Sequence, residues 1–66
     1  MTIQINGERK EAQDGLTVAA LVEQLDLKAD RLAVELNLEI LPREQWTRTA
    51  LKDGDRLEIV HFVGGG

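Results

Sequence analysis

Leu16-Thr17-Val18-Ala19-Ala20-Leu21-Val22-Glu23-Gln24-Leu25 is the stretch on which the fold turns. Val18, Leu21, Val22 and Leu25 fall at i, i+3, i+4 and i+7, which gathers them into one apolar stripe of an α-helix. Thr17 stands where the N-cap is needed, its hydroxyl placed to accept from a backbone N–H that the first turn leaves unpaired. Leu16 and Leu21 then occupy the positions of a hydrophobic staple. The spacing predicts a helix ending near Leu25 or Asp26. A helix with a single apolar stripe has to lay that stripe against a second layer.

The flanking sequence supplies strands for that layer. On the N-terminal side, Ile3 and Ile5 alternate with Thr2, Gln4 and Asn6, the period-two pattern of a half-buried strand. Asn6-Gly7 follows, a strong signal for a type I′ hairpin turn, in which both central residues take positive φ. The return strand, Glu8 to Ala12, is polar and suits an exposed edge that resists pairing with another chain. Asp14-Gly15 is a turn leading into the helix. On the C-terminal side, Leu32, Val34 and Leu36 alternate with Ala33, Glu35 and Asn37 as a third strand. Glu39-Ile40-Leu41 forms a short fourth strand stopped by Pro42. Proline suits the first position of a helix, where a missing N–H costs nothing, and a single helical turn is expected from Arg43 to Trp46. Lys52-Asp53-Gly54-Asp55 is a further turn signal. It feeds a last strand, Arg56 to Val63, in which Leu57, Ile59, His61 and Val63 oppose Glu58, Val60 and Phe62. Both faces are apolar near its end, which suits a central strand covered on one side by the helix.

These elements predict an α+β chain: a mixed sheet of about five strands under one main helix, with one short helical turn. The ubiquitin-like β-grasp fold has the same order of elements, although strand order itself cannot be read from periodicity. The expected organisation is one domain over residues 1–63 and a flexible glycine tail over 64–66. Trp46, the only tryptophan, is expected to close one end of the sheet–helix sandwich rather than to stand at the surface.

Composition removes several classes of function. There is no cysteine and only one histidine, His61, so neither a disulfide framework nor a zinc site of the Cys/His kind is available. The net charge of −4, with acids and bases interspersed, argues against a nucleic-acid partner, which calls for a cationic footprint. No apolar run approaches the roughly 20 residues that span a bilayer, and the first residues lack a secretory pattern. The expectation is a cytoplasmic protein with no membrane partner. No Ser/His/Asp or Cys/His set exists, Asp53 and Asp55 flank a turn glycine without the ligands of a calcium loop, and Gly7, Gly15 and Gly54 read as turn residues. No residue is expected to be catalytic, no metal site is expected, and the chain is expected not to be an enzyme.

What remains is Gly64-Gly65-Gly66. Such an end can be merely a loose terminus. Here the glycines follow an apolar strand directly, and extended they reach roughly 10 Å beyond the body. A carboxylate on a stem without side chains can thread a narrow channel in a partner and meet the α-phosphate of ATP. Adenylation there makes the carboxylate electrophilic, and a sulfur nucleophile can displace AMP to leave a thiocarboxylate. A Cβ in the stem would obstruct the channel and narrow the accessible φ.

Four stretches carry a family resemblance: Ile5-Asn6-Gly7-Glu8; the helix from Thr17-Val18 to Leu25; Ala33-Val34-Glu35-Leu36-Asn37 running into Pro42-Arg43-Glu44-Gln45-Trp46; and Asp53-Gly54-Asp55 through Ile59-Val60-His61-Phe62-Val63 to the terminal glycines. Together they resemble the ThiS family of thiamine-biosynthesis sulfur carriers, relatives of the small subunit of molybdopterin synthase and of ubiquitin. The resemblance covers essentially the whole chain. It implies that Gly66 is adenylated by an E1-like (ThiF-like) adenylyltransferase using ATP and Mg, with no cofactor bound by the carrier itself. It further implies that the sulfur comes from a cysteine desulfurase relay and passes to a ThiG-like thiazole synthase. Gly64 and Gly65 would thread into the partner, and Val60 and Phe62 would help to seat the body, although packing under a covered sheet explains those two equally well. A molybdopterin synthase subunit and a ubiquitin-like modifier joined through Gly66 are the alternative readings. Leu38 departs from the pattern, since many relatives have glycine after the asparagine, and on this reading it excludes an Asn–Gly-type turn there.

Overall fold

Ile3, Val34 and Leu57 are apolar residues on three different strands, and each is almost completely buried. They form the floor on which the helix rests. The computed structural model describes residues 1–62. The expected continuation of the last strand to Val63 and the tail of Gly64, Gly65 and Gly66 lie outside the described residues.

Within those bounds the chain runs β1 (Thr2–Ile5), β2 (Glu8–Glu11), α1 (Val18–Gln24), a 3₁₀ turn (Ala29–Arg31), β3 (Leu32–Leu36), β4 (Glu39–Ile40), a longer 3₁₀ segment (Arg43–Arg48) and β5 (Arg56–His61). The strands form one sheet in the order β2-β1-β5-β3-β4. β1 and β5 are parallel, while the other pairs are antiparallel. A parallel pair needs a long crossover between its strands, and everything from the first hairpin to the Asp53–Gly54 turn serves as that connection. β5 is the central strand, as its apolar sequence predicts.

Helix α1 is built as its spacing requires. The Thr17 hydroxyl accepts from the Ala20 N–H at 3.1 Å. Val18, Leu21 and Val22 are buried with Leu16, and Leu25 is the half-buried C-cap. Asp26 then takes a φ of +58°, a left-handed residue that ends the helix as such residues commonly do. Trp46 is buried in the core, and its indole N–H donates to the Leu41 carbonyl at 3.0 Å. That bond removes the cost of enclosing a polar N–H. The Arg43 guanidinium lies 5.6 Å from the Trp46 ring centroid.

The structure corrects three expectations. Pro42 is the N-cap of the 3₁₀ segment and not its first helical residue: ψ is 143°, while its carbonyl already accepts from the Gln45 N–H at 2.9 Å. The segment runs to Arg48 rather than stopping at Trp46. The largest departure is at Leu38. Asn37 and Leu38 have φ of +52° and +73°, and Leu36 pairs with Glu39, so a two-residue turn with positive φ at both positions does form without glycine. Asn37 explains why. Its N–H donates to the Arg56 carbonyl at 2.8 Å. Its side-chain oxygen accepts from the Arg56 N–H, and its amide donates to Asp55, both at 3.0 Å. With Asn37 held in the left-handed region and β3 and β4 in register, Leu38 follows.

Residues 47–51 carry no periodicity and read as no element, yet Leu51 is part of the core. The backbone ties this segment to the start of the helix, through Val18 N–H to the Thr49 carbonyl at 3.0 Å and Leu51 N–H to the Leu16 carbonyl at 2.8 Å.

Candidate functional site

β5 is the last described element before the expected glycine tail, and it is held from both sides. Two asparagines with positive φ extend its pairing beyond the regular ladders. On the β3 side, Asn37 binds the backbone of Arg56 as described. On the β1 side the regular pairing stops at Ile5 opposite Leu57. There the Asn6 carboxamide takes the place of a peptide group, its oxygen accepting from the Ile59 N–H at 2.7 Å and its nitrogen donating to the Ile59 carbonyl at 3.1 Å. Asn6 was legible as a turn residue. Its bond to Ile59 was not, because nothing local signals a contact 53 residues away.

Further along, the Phe62 N–H donates to the Arg31 carbonyl at 3.0 Å, so the strand direction is fixed as far as Phe62. Side chains alternate across a strand, which puts Leu57, Ile59 and His61 toward the helix and Glu58, Val60 and Phe62 on the opposite face. The helix covers only one face. Val60 and Phe62 are 54% and 46% exposed, so they are brought together on the open face rather than packed into a covered sheet.

Two apolar residues that the sequence reading did not place beside Val60 and Phe62 belong to the same side. Ile40 is 74% exposed and pairs with Glu35, whose other neighbour is Glu58, so all three share the open face. Leu38 projects from the adjoining turn and is 84% exposed. The register of the two-residue strand β4 is the signal that would have placed Ile40, and it rests on a turn the sequence argued against. Glu35 and Glu58 stand directly opposite each other, an arrangement of like charges that costs stability. The open face is therefore apolar toward the end of β5 and charged behind it, where Glu35 and Glu58 stand with Arg56.

No enclosed centre for chemistry lies on this surface. Among the described residues, no group of three or more His, Cys, Asp or Glu side chains is placed to hold a metal ion. His61 is exposed at the lip of an apolar cleft. Among the described residues no helix is long and apolar enough to cross a membrane. What the geometry can do is hold β5 from both sides, as far as Ile59 on one and Phe62 on the other, with exposed apolar side chains near its end on which a protein partner can rest. The expected reacting residue Gly66 and the expected threading residues Gly64 and Gly65 are outside the described residues.

The model of the ThiS family matches residues 3–66. Among curated proteins, the chain is 36% identical to the sulfur carrier protein ThiS of Escherichia coli (strain K12), with all of both chains covered. It is 46% identical to a thiazole synthase of Paramagnetospirillum magneticum, where all of this chain spans only 20% of the relative. Among solved structures, it superposes on the thiamine biosynthesis protein (ThiS) from Geobacter metallireducens with a TM-score of 0.87, at 38% identity and with both chains covered completely.

Proposed function

The chain belongs to the ThiS family, and from that premise we propose that it is a sulfur carrier of thiamine biosynthesis whose reacting group is the carboxylate of Gly66. The observation that carries the reading is the match with the E. coli carrier over the whole of both chains. An E1-like adenylyltransferase, using ATP and Mg, joins AMP to the carboxylate and releases pyrophosphate. The terminal sulfur of a persulfide from a cysteine desulfurase relay displaces AMP to give an acyl disulfide. A thiol of the relay cleaves that S–S bond, ending in a disulfide itself, and the thiocarboxylate so freed gives its sulfur to thiazole synthase. The carrier contributes presentation: β5, clamped by Asn6 and Asn37, sets the direction, and Gly64 and Gly65 give reach without bulk. Val60 and Phe62 form the apolar seat, with Ile40 and Leu38 extending it. The catalytic groups belong to the partners, the chain itself is no enzyme, and the reaction takes place in the cytoplasm.

The test is an intact-mass measurement after co-expression with an adenylating enzyme and a sulfur donor. A gain equal to replacement of one oxygen by sulfur, localised by fragmentation to Gly66, is expected. An unmodified chain in a reaction that consumes ATP, or sulfur placed anywhere else, overturns the reading.

A further inference from the structure

One backbone position on the central strand turns its hydrogen-bonding groups to a side where no described residue pairs with them. Phe62 donates to Arg31, and in an antiparallel ladder such bonded pairs alternate with unbonded ones. Glu58, Val60 and Phe62 therefore turn their backbone groups toward β3, whereas Leu57, Ile59 and His61 turn theirs toward β1. Leu57 is met by the Asn6 N–H at 2.9 Å and Ile59 by the Asn6 carboxamide. His61 is next in this row. Beyond Asn6 the chain has turned away into β2, and among the described residues the His61 N–H and C=O have no backbone partner on that side. Beside this short edge, Ile5, Leu25, Leu27, Leu32 and Ile59, with Asn6 and His61, line a cleft of about 330 Å³.

We propose that an extended segment of thiazole synthase adds to the sheet at this edge, pairing its backbone with His61 and placing one aliphatic side chain in the cleft. The proposal rests on the carrier reading above and names the contact made by the acceptor enzyme. An unpaired strand edge is a template for an added strand, with main-chain bonds giving affinity and alternate side chains giving specificity. The cleft lies at the low end of the roughly 300–1,000 Å³ typical of small-molecule pockets, and its leucine and isoleucine walls suit a hydrocarbon side chain. In an added strand the residues on either side of that one point to the opposite face, where Val60 and Phe62 are exposed, so a single segment meets the cleft and the apolar seat together. The occupant is argued from the relative in which the counterpart of this whole chain is one part of a thiazole synthase. The two surfaces there belong to one polypeptide. Pairing at His61 holds the strand that leads to Gly66, so the carboxylate enters the acceptor site along a set line.

Amide hydrogen exchange on the isotope-labelled chain tests this, alone and with thiazole synthase. In the free chain the Ile59 and Phe62 amides are protected and the His61 amide exchanges freely. In the complex the His61 amide slows at least about tenfold, the change expected for one hydrogen bond gained. His61→Pro removes the N–H from a position where nothing uses it in the free fold, so the melting temperature holds while binding weakens about tenfold. His61→Ala keeps the N–H and binds normally. Leu27→Lys at the cleft weakens binding without touching the edge. Binding with unchanged His61 exchange, slowing only with the adenylating enzyme, or equal loss from His61→Ala and His61→Pro overturns strand addition and leaves the carrier reading intact. A chain that never acquires sulfur at Gly66 overturns the carrier reading itself.

Discussion

Leu38 holds a φ of +73° with its side chain in solvent, so it bears the steric cost of the left-handed region with no packing in return. That cost is about 1–2 kcal/mol for an L-residue, partly offset because glycine loses about 0.5–1 kcal/mol more entropy on folding. Leu38→Gly is therefore expected to stabilise the chain by about 0.5–1 kcal/mol, seen as a higher urea midpoint at unchanged slope. A lower midpoint would mean that Leu38 makes a contact in solution that this geometry lacks. Asn6 presents the opposite case, since its side chain is used. Asn6→Gly keeps the positive φ but deletes both bonds to Ile59, at about 1–2 kcal/mol. The specific sign is faster exchange of the Ile59 amide relative to its neighbours in β5; uniform loss of protection would assign Asn6 to the turn alone.

At the scale of elements, helix α1 rests on a cap whose contribution can be isolated. Thr17→Ala should cost about 1 kcal/mol and Thr17→Ser much less, read from the same denaturation curves; equal losses would point to the methyl group rather than the hydroxyl. This helix was legible because its stripe, cap and staple are all local signals within ten residues. The strands were legible for the same reason, and the Asn6-Gly7 hairpin with them. Three things were not. The parallel neighbours β1 and β5 are far apart in sequence, and pairing at that range leaves no periodic trace. Leu51 follows Ala50 in a stretch too short to show a period, and it is buried because residues 47–51 are tied to the start of the helix. At Leu38 the intrinsic preference of the residue was overridden by the register of β3 with β4 and by the bonds of Asn37, so a rule about glycine gave the wrong turn. The site was legible in part. Val60 and Phe62 share a face by strand spacing alone, but with apolar residues on both sides of β5 only the sheet topology decides which face is left open. Ile40 joins them through a β4 register that no local pattern specifies.

Across the whole molecule, the proposed function assigns holding the fold and carrying sulfur to different residues. Every buried side chain among the described residues lies between Ile3 and Leu57, while the proposed seat, Val60 and Phe62, and the proposed reacting residue, Gly66, follow in sequence. Two lesions beyond Leu57 should therefore leave the melting temperature close to that of the parent, yet fail in distinguishable ways. Val60→Asp puts a carboxylate into the apolar part of the open face, one alternation from Glu58, and its fault lies in docking. Thiocarboxylate formation should fall severalfold at low carrier concentration and recover as the carrier approaches saturation, the pattern of a raised KM with kcat retained. Deleting Gly66 leaves docking intact and withdraws the carboxylate by about 3.3–3.6 Å. That far exceeds the ~1 Å displacement able to cost on the order of 100-fold in an aligned reaction. No carrier concentration should restore product, and the truncated chain should compete with the intact one for the adenylating enzyme. If the truncated chain accepts sulfur at an appreciable rate, position along the tail does not select the reacting carboxylate. If it fails to compete, Gly66 itself is part of the docking surface, and the division between a seat on the sheet and a reacting end must be redrawn.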